Sequence, residues 1–145
     1  MRLSAAECRA RFTGAPVARL ATADERGHPH LVPVTFAADG DTVVFAVDRK
    51  PKTTHDLKRL RNIRSNPRVS LLADHYEDDW TRLWWVRADG RAEILHAGSD
   101  RTVPLGLLAA RYRQYASDPP PGPVVRVTVT HWAGWAGRPD RPDRS

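Results

Sequence analysis

A series of short apolar segments, separated by turn sequences, is the feature that most constrains the fold of this chain. The segments are rich in Val, Leu, Thr and Phe: PVARLAT, HLVPVTFAAD, TVVFAV and RVSLLAD. Turn-forming sequences such as ADERGHPH and ADGD separate them. Such segments are typical of β-strands, and tight turns between consecutive strands favour antiparallel pairing. We therefore predict a mainly β chain with flanking helices (α+β), whose six strands form an antiparallel sheet closed into a small barrel.

The second predicted strand, HLVPVTFAAD, contains a proline that limits where the strand can lie. Alternation along a strand places Val34 and Phe36 on one face and Pro33 and Thr35 on the other. Proline has no N–H to donate to a neighbouring strand. We therefore expect this strand to lie at a sheet edge or to carry a bulge at Pro33.

A pair of adjacent tryptophans lies in the segment WTRLWWVRADGRAEIL, which we predict to be a long hairpin turning at Asp89–Gly90. Neighbouring residues of a strand point to opposite faces, so one of Trp84 and Trp85 can join the core while the other faces outward. An outward ring would suit a subunit interface or a planar ligand. For either ring alone, a place in the core is an equally good interpretation.

Two helices are predicted outside the strand segments. Ser4 followed by Glu7 makes a capping-box pattern, which predicts a helix that ends near Thr13–Gly14. A second helix is expected from about Ser99 to Tyr115, because apolar residues recur there at helical spacing.

The segment RKPKTTHDLKRLRNIRSNPR, residues 49–68, carries eight Lys or Arg and one acid, Asp56. Thr53 or Thr54 can cap a further helix that runs to about Ser65, where Asn66–Pro67 ends it. Helix N-termini bind phosphate because their N–H groups are unpaired and their dipole is positive there. The segment is therefore a candidate phosphate site, and a solvated cationic face is the alternative.

The side chains that would contribute to this site follow the predicted strand end and continue onto the helix. Helical spacing places Thr54, Lys58 and Arg61 on one face, where they could bind a phosphate and a further carboxylate. Near the helix start, further donors come from Lys50, Lys52, Thr53 and Thr54.

Other classes of function have weaker signals. A net charge of +6 favours anionic partners, but the five tryptophans are not interleaved with the basic segment and no nucleic-acid-binding signature is present. The six histidines lack metal-ligand spacing, and no nucleophile–base motif is visible. We therefore expect no metal, no nucleic acid and no catalytic acid or base among the side chains.

The length and the chain ends indicate one domain. A chain of 145 residues is the size of a single domain, which we place at residues 1–136. The tail GRPDRPDRS, residues 137–145, is Pro-rich and charged, so we expect it to be disordered. No apolar run approaches the roughly 20 residues that span a bilayer, and the N-terminus lacks the apolar block of a signal peptide. A cytoplasmic protein without membrane contact is expected.

Four segments in order resemble a known superfamily: ARLATADERGHPHLVPVTFA, TVVFAVDRKPK, LKRLRNIRSNPRVSLLAD and WWVRADGRAEIL. They are similar to the split-barrel flavin or deazaflavin oxidoreductases, the group that contains pyridoxamine phosphate oxidase. RNIRSNPRVSLL resembles the helix-to-strand junction of that group. The resemblance covers roughly residues 10 to 135. It implies an FMN-binding-like split β-barrel that forms a homodimer, with the cofactor in a groove between subunits.

Within that superfamily, the segment DHYEDDW-x-x-LWWVR is most similar to actinobacterial members that use the deazaflavin coenzyme F420. The resemblance implies hydride transfer between the cofactor and a small unsaturated substrate. It also implies three sets of cofactor-binding residues. The ring would lie along His30, Pro33, Val34 and Thr35. The phosphate and acidic tail would be held by Lys50, Lys52, Thr53, Arg59 and Arg61. Trp84 or Trp85 could come from the partner subunit.

The charge of the basic segment agrees modestly with F420. This cofactor carries a phosphodiester and a polyglutamate tail, so its site needs several cations spread along a helix. FMN, with a single phosphate, would need fewer. An FMN-dependent oxidoreductase of the same superfamily is therefore the first alternative, and a carrier or sensor that binds the cofactor without turnover is the second.

Overall fold

The architecture was examined in a computed structural model, which describes residues 1–47, 57–96 and 98–138. Most of the described residues lie in strands of one sheet, with helices around it. The helices are α1 Ala5–Gly14, α2 Lys58–Ser65, α3 Thr102–Arg111 and α4 Arg113–Ser117. The strands are β1 Ala18–Ala23, β2 Pro29–Val34, β3 Ala37–Asp39, β4 Thr42–Ala46, β5 Arg68–His75, β6 Trp84–Leu95 and β7 Val124–Ala136.

All seven described strands belong to one antiparallel sheet in the order β2-β1-β5-β6-β7-β4-β3. The prediction of a mainly β, antiparallel fold with flanking helices is confirmed. The predicted strand count of six and the closed barrel are wrong, because the described sheet has seven strands and β2 and β3 lie at its two ends. The prediction that Pro33 lies in an edge strand is confirmed, since β2 is terminal.

The extra strand arises because the predicted segment HLVPVTFAAD divides at Phe36. Phe36 is fully buried, and its backbone N–H and C=O bond to the Tyr112 hydroxyl at 3.1 and 2.9 Å. Since this hydroxyl takes both backbone groups, Phe36 does not continue the ladder of β2. The chain resumes pairing as β3, now against β4.

The predicted hairpin at Asp89–Gly90 is also wrong. Residues Trp84–Leu95 form one continuous strand that pairs with β7 along its length and with β5 from Trp84 to Arg91. The pairing with β7 shifts register between Asp89 and Gly90. A Cβ added at Gly90 would lie 2.3 Å from the Thr128 carbonyl oxygen. The glycine is therefore required by the close approach of two strands at a bulge rather than by a turn.

The helices agree with the predictions at some ends and differ at others. The capping box of Ser4 and Glu7 and the end of α1 at Gly14 are confirmed. α2 ends at Ser65 as predicted, but it begins at Lys58 because Leu57 is extended and serves as its N-cap. The predicted third helix divides at Tyr112, whose extended backbone separates α3 from α4.

The sheet curves around a main core to which strands from both of its ends contribute. This core contains Leu20 of β1, Val34 of β2 and Phe45 of β4, with Phe12 of α1 and Leu60 of α2. A smaller apolar cluster lies between α3 and the strands β3, β4 and β7. None of the helices in the described part of the chain is long and apolar enough to cross a bilayer.

Candidate functional site

The helix α2 is attached to the sheet by apolar packing and by one buried hydrogen bond. Leu60 and Ile63 point into the main core. Between them in sequence, Asn62 Nδ2 donates to Thr22 Oγ1 of β1 at 3.0 Å. Only 3% of Asn62 and 4% of Thr22 are exposed. Because buried polar groups are costly unless bonded, this pair sets the position of α2 on β1.

The turn between β1 and β2 is held by Asp24. Its Oδ1 accepts hydrogen bonds from the backbone N–H groups of Arg26 and His28, each at 2.9 Å. Its Oδ2 lies 2.9 Å from His28 Nδ1. These hydrogen bonds, first those from His28, lower the pKa of Asp24 to about 2. Gly27 completes the turn with a φ of 81°, a conformation that glycine adopts without strain.

A cavity of about 460 Å³ lies between this turn and α2. Three cations and two acids line it, together with polar side chains: Arg26, Lys58, Arg61, Asp24, Glu25, His28, Asn62 and Ser65. The Asp24 carboxylate accepts the bonds that form the turn, and Lys58 and Arg61 of α2 line the cavity together with Glu25 of the turn.

His30 of β2 lies beside the cations of α2. It is the cross-strand neighbour of Thr22, so it lies on the inner face of the sheet. Burial, followed by the charges of Lys58 and Arg59, lowers the pKa of His30. Among the described residues, the buried atoms His30 Nδ1 and Arg59 Nε have no hydrogen-bond partner. We call His30, Lys58, Arg59 and Arg61 the α2 site.

The structure thus brings together four of the predicted site residues, namely the members of the α2 site. It distributes the other predicted residues of the second strand over different surroundings. Pro33 and Thr35 are exposed, whereas Val34 lies in the core with 7% exposed. Four predicted residues lie outside the described residues: Lys50, Lys52, Thr53 and Thr54. The part of the predicted tail from residue 139 onward also lies outside them.

The two adjacent tryptophans lie on opposite faces of β6, as predicted. Trp84 packs against the main core, and the Arg11 Cζ atom lies 5.5 Å from the centroid of its ring. Trp85 is on the outer face, where Trp135 of β7 is its cross-strand neighbour. The exposed fraction of Trp135 is 38%, and Leu31 of β2 on the same face is 67% exposed. The outer face therefore carries solvent-exposed apolar groups.

Sequence reasoning missed the two residues that fix α2 to the sheet. Neither Asn62, in the segment RNIRSNPR, nor Thr22, in the first strand, is among the predicted site residues. The sequence nevertheless contains a pattern that indicates both. Thr22 is a polar residue at an inward position of β1, and Asn62 lies between the apolar residues of the α2 stripe. A polar residue at an inward position predicts a buried partner.

Comparisons with known proteins agree with this fold. The sequence profile of the pyridoxamine 5'-phosphate oxidase family matches residues 4–136. The chain therefore belongs to that family. No curated protein matches the chain in sequence.

Three solved structures illustrate the likeness in fold. A FAD-binding protein from Mesorhizobium loti is 24% identical, covers 92% of this chain and 95% of its own, and has a TM-score of 0.73. A FAD-binding protein from Mycobacterium smegmatis is 24% identical over 93% and 96%, with a TM-score of 0.64. The heme storage protein HutZ from Vibrio cholerae is 16% identical over 90% of both chains, with a TM-score of 0.67. At these identities the likeness establishes the fold.

The donor set of the α2 site fits a phosphate-bearing cofactor. Lys58, Arg59 and Arg61 supply positive charge, and guanidinium groups bind phosphate by paired N–H donors. Within the described ranges, the buried Arg59 Nε still lacks an acceptor. A buried donor without an acceptor costs free energy that a bound phosphate oxygen would remove.

Proposed function

We propose that the chain is an F420-dependent oxidoreductase that transfers a hydride between this deazaflavin and a small unsaturated substrate. The observation that carries the proposal is the α2 site, where Lys58 and Arg61 line a cavity beside the turn between β1 and β2. Membership of the pyridoxamine 5'-phosphate oxidase family supports the proposal, as does the resemblance of DHYEDDW-x-x-LWWVR to members that use F420. The number of cations favours a ligand with several negative charges.

The residues of the α2 site would hold the anionic part of the cofactor. Arg59 and Lys58 would bind the phosphate, and Arg61 would extend the positive charge along α2 towards the acidic tail. When bound, the cofactor supplies the hydride chemistry, and the protein supplies binding and orientation. The hydrogen bond between Asn62 and Thr22 fixes α2, and with it these cations, on β1. The ring of the cofactor would thereby be oriented against the strands.

FMN or FAD is the second candidate cofactor. It is favoured by the two FAD-binding proteins that share this fold at 24% identity. A further candidate is a binding protein without turnover, since a heme storage protein also has this fold. The α2 site suits any of the phosphate-bearing ligands, so its chemistry alone does not choose between F420 and the flavins.

We also propose that the protein is a homodimer that has a small-molecule substrate and neither nucleic-acid nor membrane partners. The apolar groups on the outer face support self-association, because Leu31 and Trp135 are exposed there in the single chain. A second copy on this face would cover them. The cofactor groove would then lie between the two subunits.

The test is a set of equilibrium titrations with F420, FMN and FAD, followed by fluorescence or calorimetry. We expect F420 to bind most tightly, and the reduced cofactor to be consumed when quinone, enone or tetrapyrrole acceptors are added. Arg61→Ala should weaken the binding, and Arg64→Ala is its matched control, because both arginines are on α2 but only Arg61 lines the cavity.

Each alternative has its own result. Tighter binding of FMN or FAD would replace F420 by a flavin. Cofactor binding without turnover across the acceptor panel would favour a carrier or sensor. Salt-sensitive binding of DNA, unaffected by cofactor, would overturn the proposal as a whole.

A further inference from the structure

A histidine lies near cations of the α2 site and has no acidic hydrogen-bond partner among the described residues. His30 faces inward on β2, with Thr22 of β1 directly opposite. From α2, the positive charges of Lys58 and Arg59 act on it. The hydroxyl of Thr22 already accepts a bond from Asn62. The nearby turn contains Asp24, whose carboxylate is engaged with His28 and the turn backbone. Glu25 of the same turn lines the cavity beside Lys58 and Arg61.

These surroundings disfavour the protonated imidazole in the absence of a ligand. Burial and two neighbouring cations both disfavour the protonated form and lower the pKa of His30. No carboxylate in the described ranges offsets them through a charge interaction with His30. In those same ranges, the buried Nδ1 atom has no hydrogen-bond partner.

An anion next to Arg59 would raise the pKa of His30 again. An opposite charge at close range favours the protonated imidazole, which then donates from both nitrogens. We propose that His30 is a proton-linked ligand of the α2 site, taking up one proton from solvent when an anionic phosphate or sulfate group binds beside Arg59. The inference deepens the proposed function and rests on it, because the group bound there would be the phosphate of the cofactor.

The sharpest probe is inorganic sulfate, which keeps the same charge between about pH 5.5 and about pH 8, where histidine titrates. Any proton taken up on sulfate binding therefore belongs to the protein. Calorimetry in buffers of different ionisation enthalpy measures that uptake. We expect it to be greatest, at up to one proton per sulfate, between the pKa of His30 in the free protein and its higher pKa in the sulfate complex. Over that interval the sulfate Kd should rise by up to about tenfold per pH unit.

Two variants distinguish His30 from other titrating groups. In His30→Gln, the proton uptake should disappear and the sulfate Kd should become nearly independent of pH. His131→Gln removes an exposed histidine of β7 and should leave the uptake unchanged. Imidazole nitrogen NMR should show the His30 resonance moving to the protonated position on addition of sulfate.

The outcomes separate this inference from the proposed function. Proton uptake that persists in His30→Gln, or sulfate binding without uptake in the unmodified protein, overturns the inference. Tight binding of F420 or FMN without protonation of His30 overturns it while the proposed function stands. His30-dependent uptake with sulfate, but no binding of F420, FMN or FAD, supports the inference and overturns the proposed function. Absence of binding to all four probes overturns both.

Discussion

Two helical regions of this protein use arginine in opposite ways. In the α3–α4 region, Arg111 Nη1 donates to the Phe36 carbonyl at 2.8 Å, and Nη2 donates to the Ala15 carbonyl. Its Cζ atom lies 4.7 Å from the centroid of the Phe36 ring. In α2, the buried Arg59 Nε has no partner in the described ranges and lies near His30.

The difference shows that the count of positive charges does not identify a binding site. Arg101 repeats the pattern of Arg111, because its Nη2 donates to the Pro120 and Gly122 carbonyls at 2.8 and 2.9 Å. Carbonyl oxygens of the protein itself accept bonds from the Nη atoms of these two arginines, although Arg101 Nε, like Arg59 Nε, is buried without a partner in the described ranges. In α2, Lys58 and Arg61 instead line a cavity in which a ligand can bind.

The largest expected effect is on stability in the α3–α4 region. Arg111→Met should lower the free energy of unfolding by about 2–4 kcal/mol, because two carbonyl oxygens lose a charged donor. Denaturant unfolding measures this loss. Arg113→Met, at an exposed position of α4, is the control and should change stability little. Equal losses in the two variants would contradict the structural role of Arg111.

The next effect is on binding and should appear in α2 alone. Arg59→Ala should weaken F420 binding by about 1.5–3 kcal/mol through the loss of a charge-assisted hydrogen bond, with little change in stability. A titration against Arg64→Ala, on the same helix, checks this. If Arg59→Ala destabilised the fold and left affinity intact, the contrast between the two regions would fail.

A third prediction concerns the bond that holds α2 in place. Thr22→Val should reduce the free energy of unfolding by about 1–2 kcal/mol, because the buried amide of Asn62 loses its acceptor. The double variant with Asn62→Leu should lose less than the sum of the two single changes. A double-mutant cycle with zero coupling would show that the pair does not fix the helix.

The smallest effect is on acid stability at the turn beside the α2 site. The pKa of Asp24 lies below that of an unfolded aspartate, so its carboxylate stabilises the fold above pH 3.8 and this contribution is lost as the pH falls to about 2. Asp24→Asn should therefore lower the Tm slightly at neutral pH. The difference between the two proteins should vanish over that acidic range. A constant difference from neutral pH to about pH 2 would contradict the assignment.

Local sequence signals predicted much of the fold and fewer of the site contacts. The capping box of Ser4 and Glu7 was correct because both bonds are local to one helix turn. The end of α2 was correct because Asn66–Pro67 blocks the helix locally. At Asp89–Gly90, a local turn signal was overridden by pairing with strands distant in sequence. The start of α2 and the break at Tyr112 were also missed.

The sequence by itself determined the mainly β class, the edge position of Pro33, the opposite faces of Trp84 and Trp85, and the cationic nature of α2. Each depends on alternation, on a missing N–H or on charge, all of which are local properties. Tertiary structure alone decided which cations form hydrogen bonds with carbonyl oxygens of the protein itself. Arg111 bonds to Ala15 and Phe36 across long sequence separations, whereas the charge of Arg59 acts on His30. Partners this far apart along the chain become neighbours only when the sheet curves around its core.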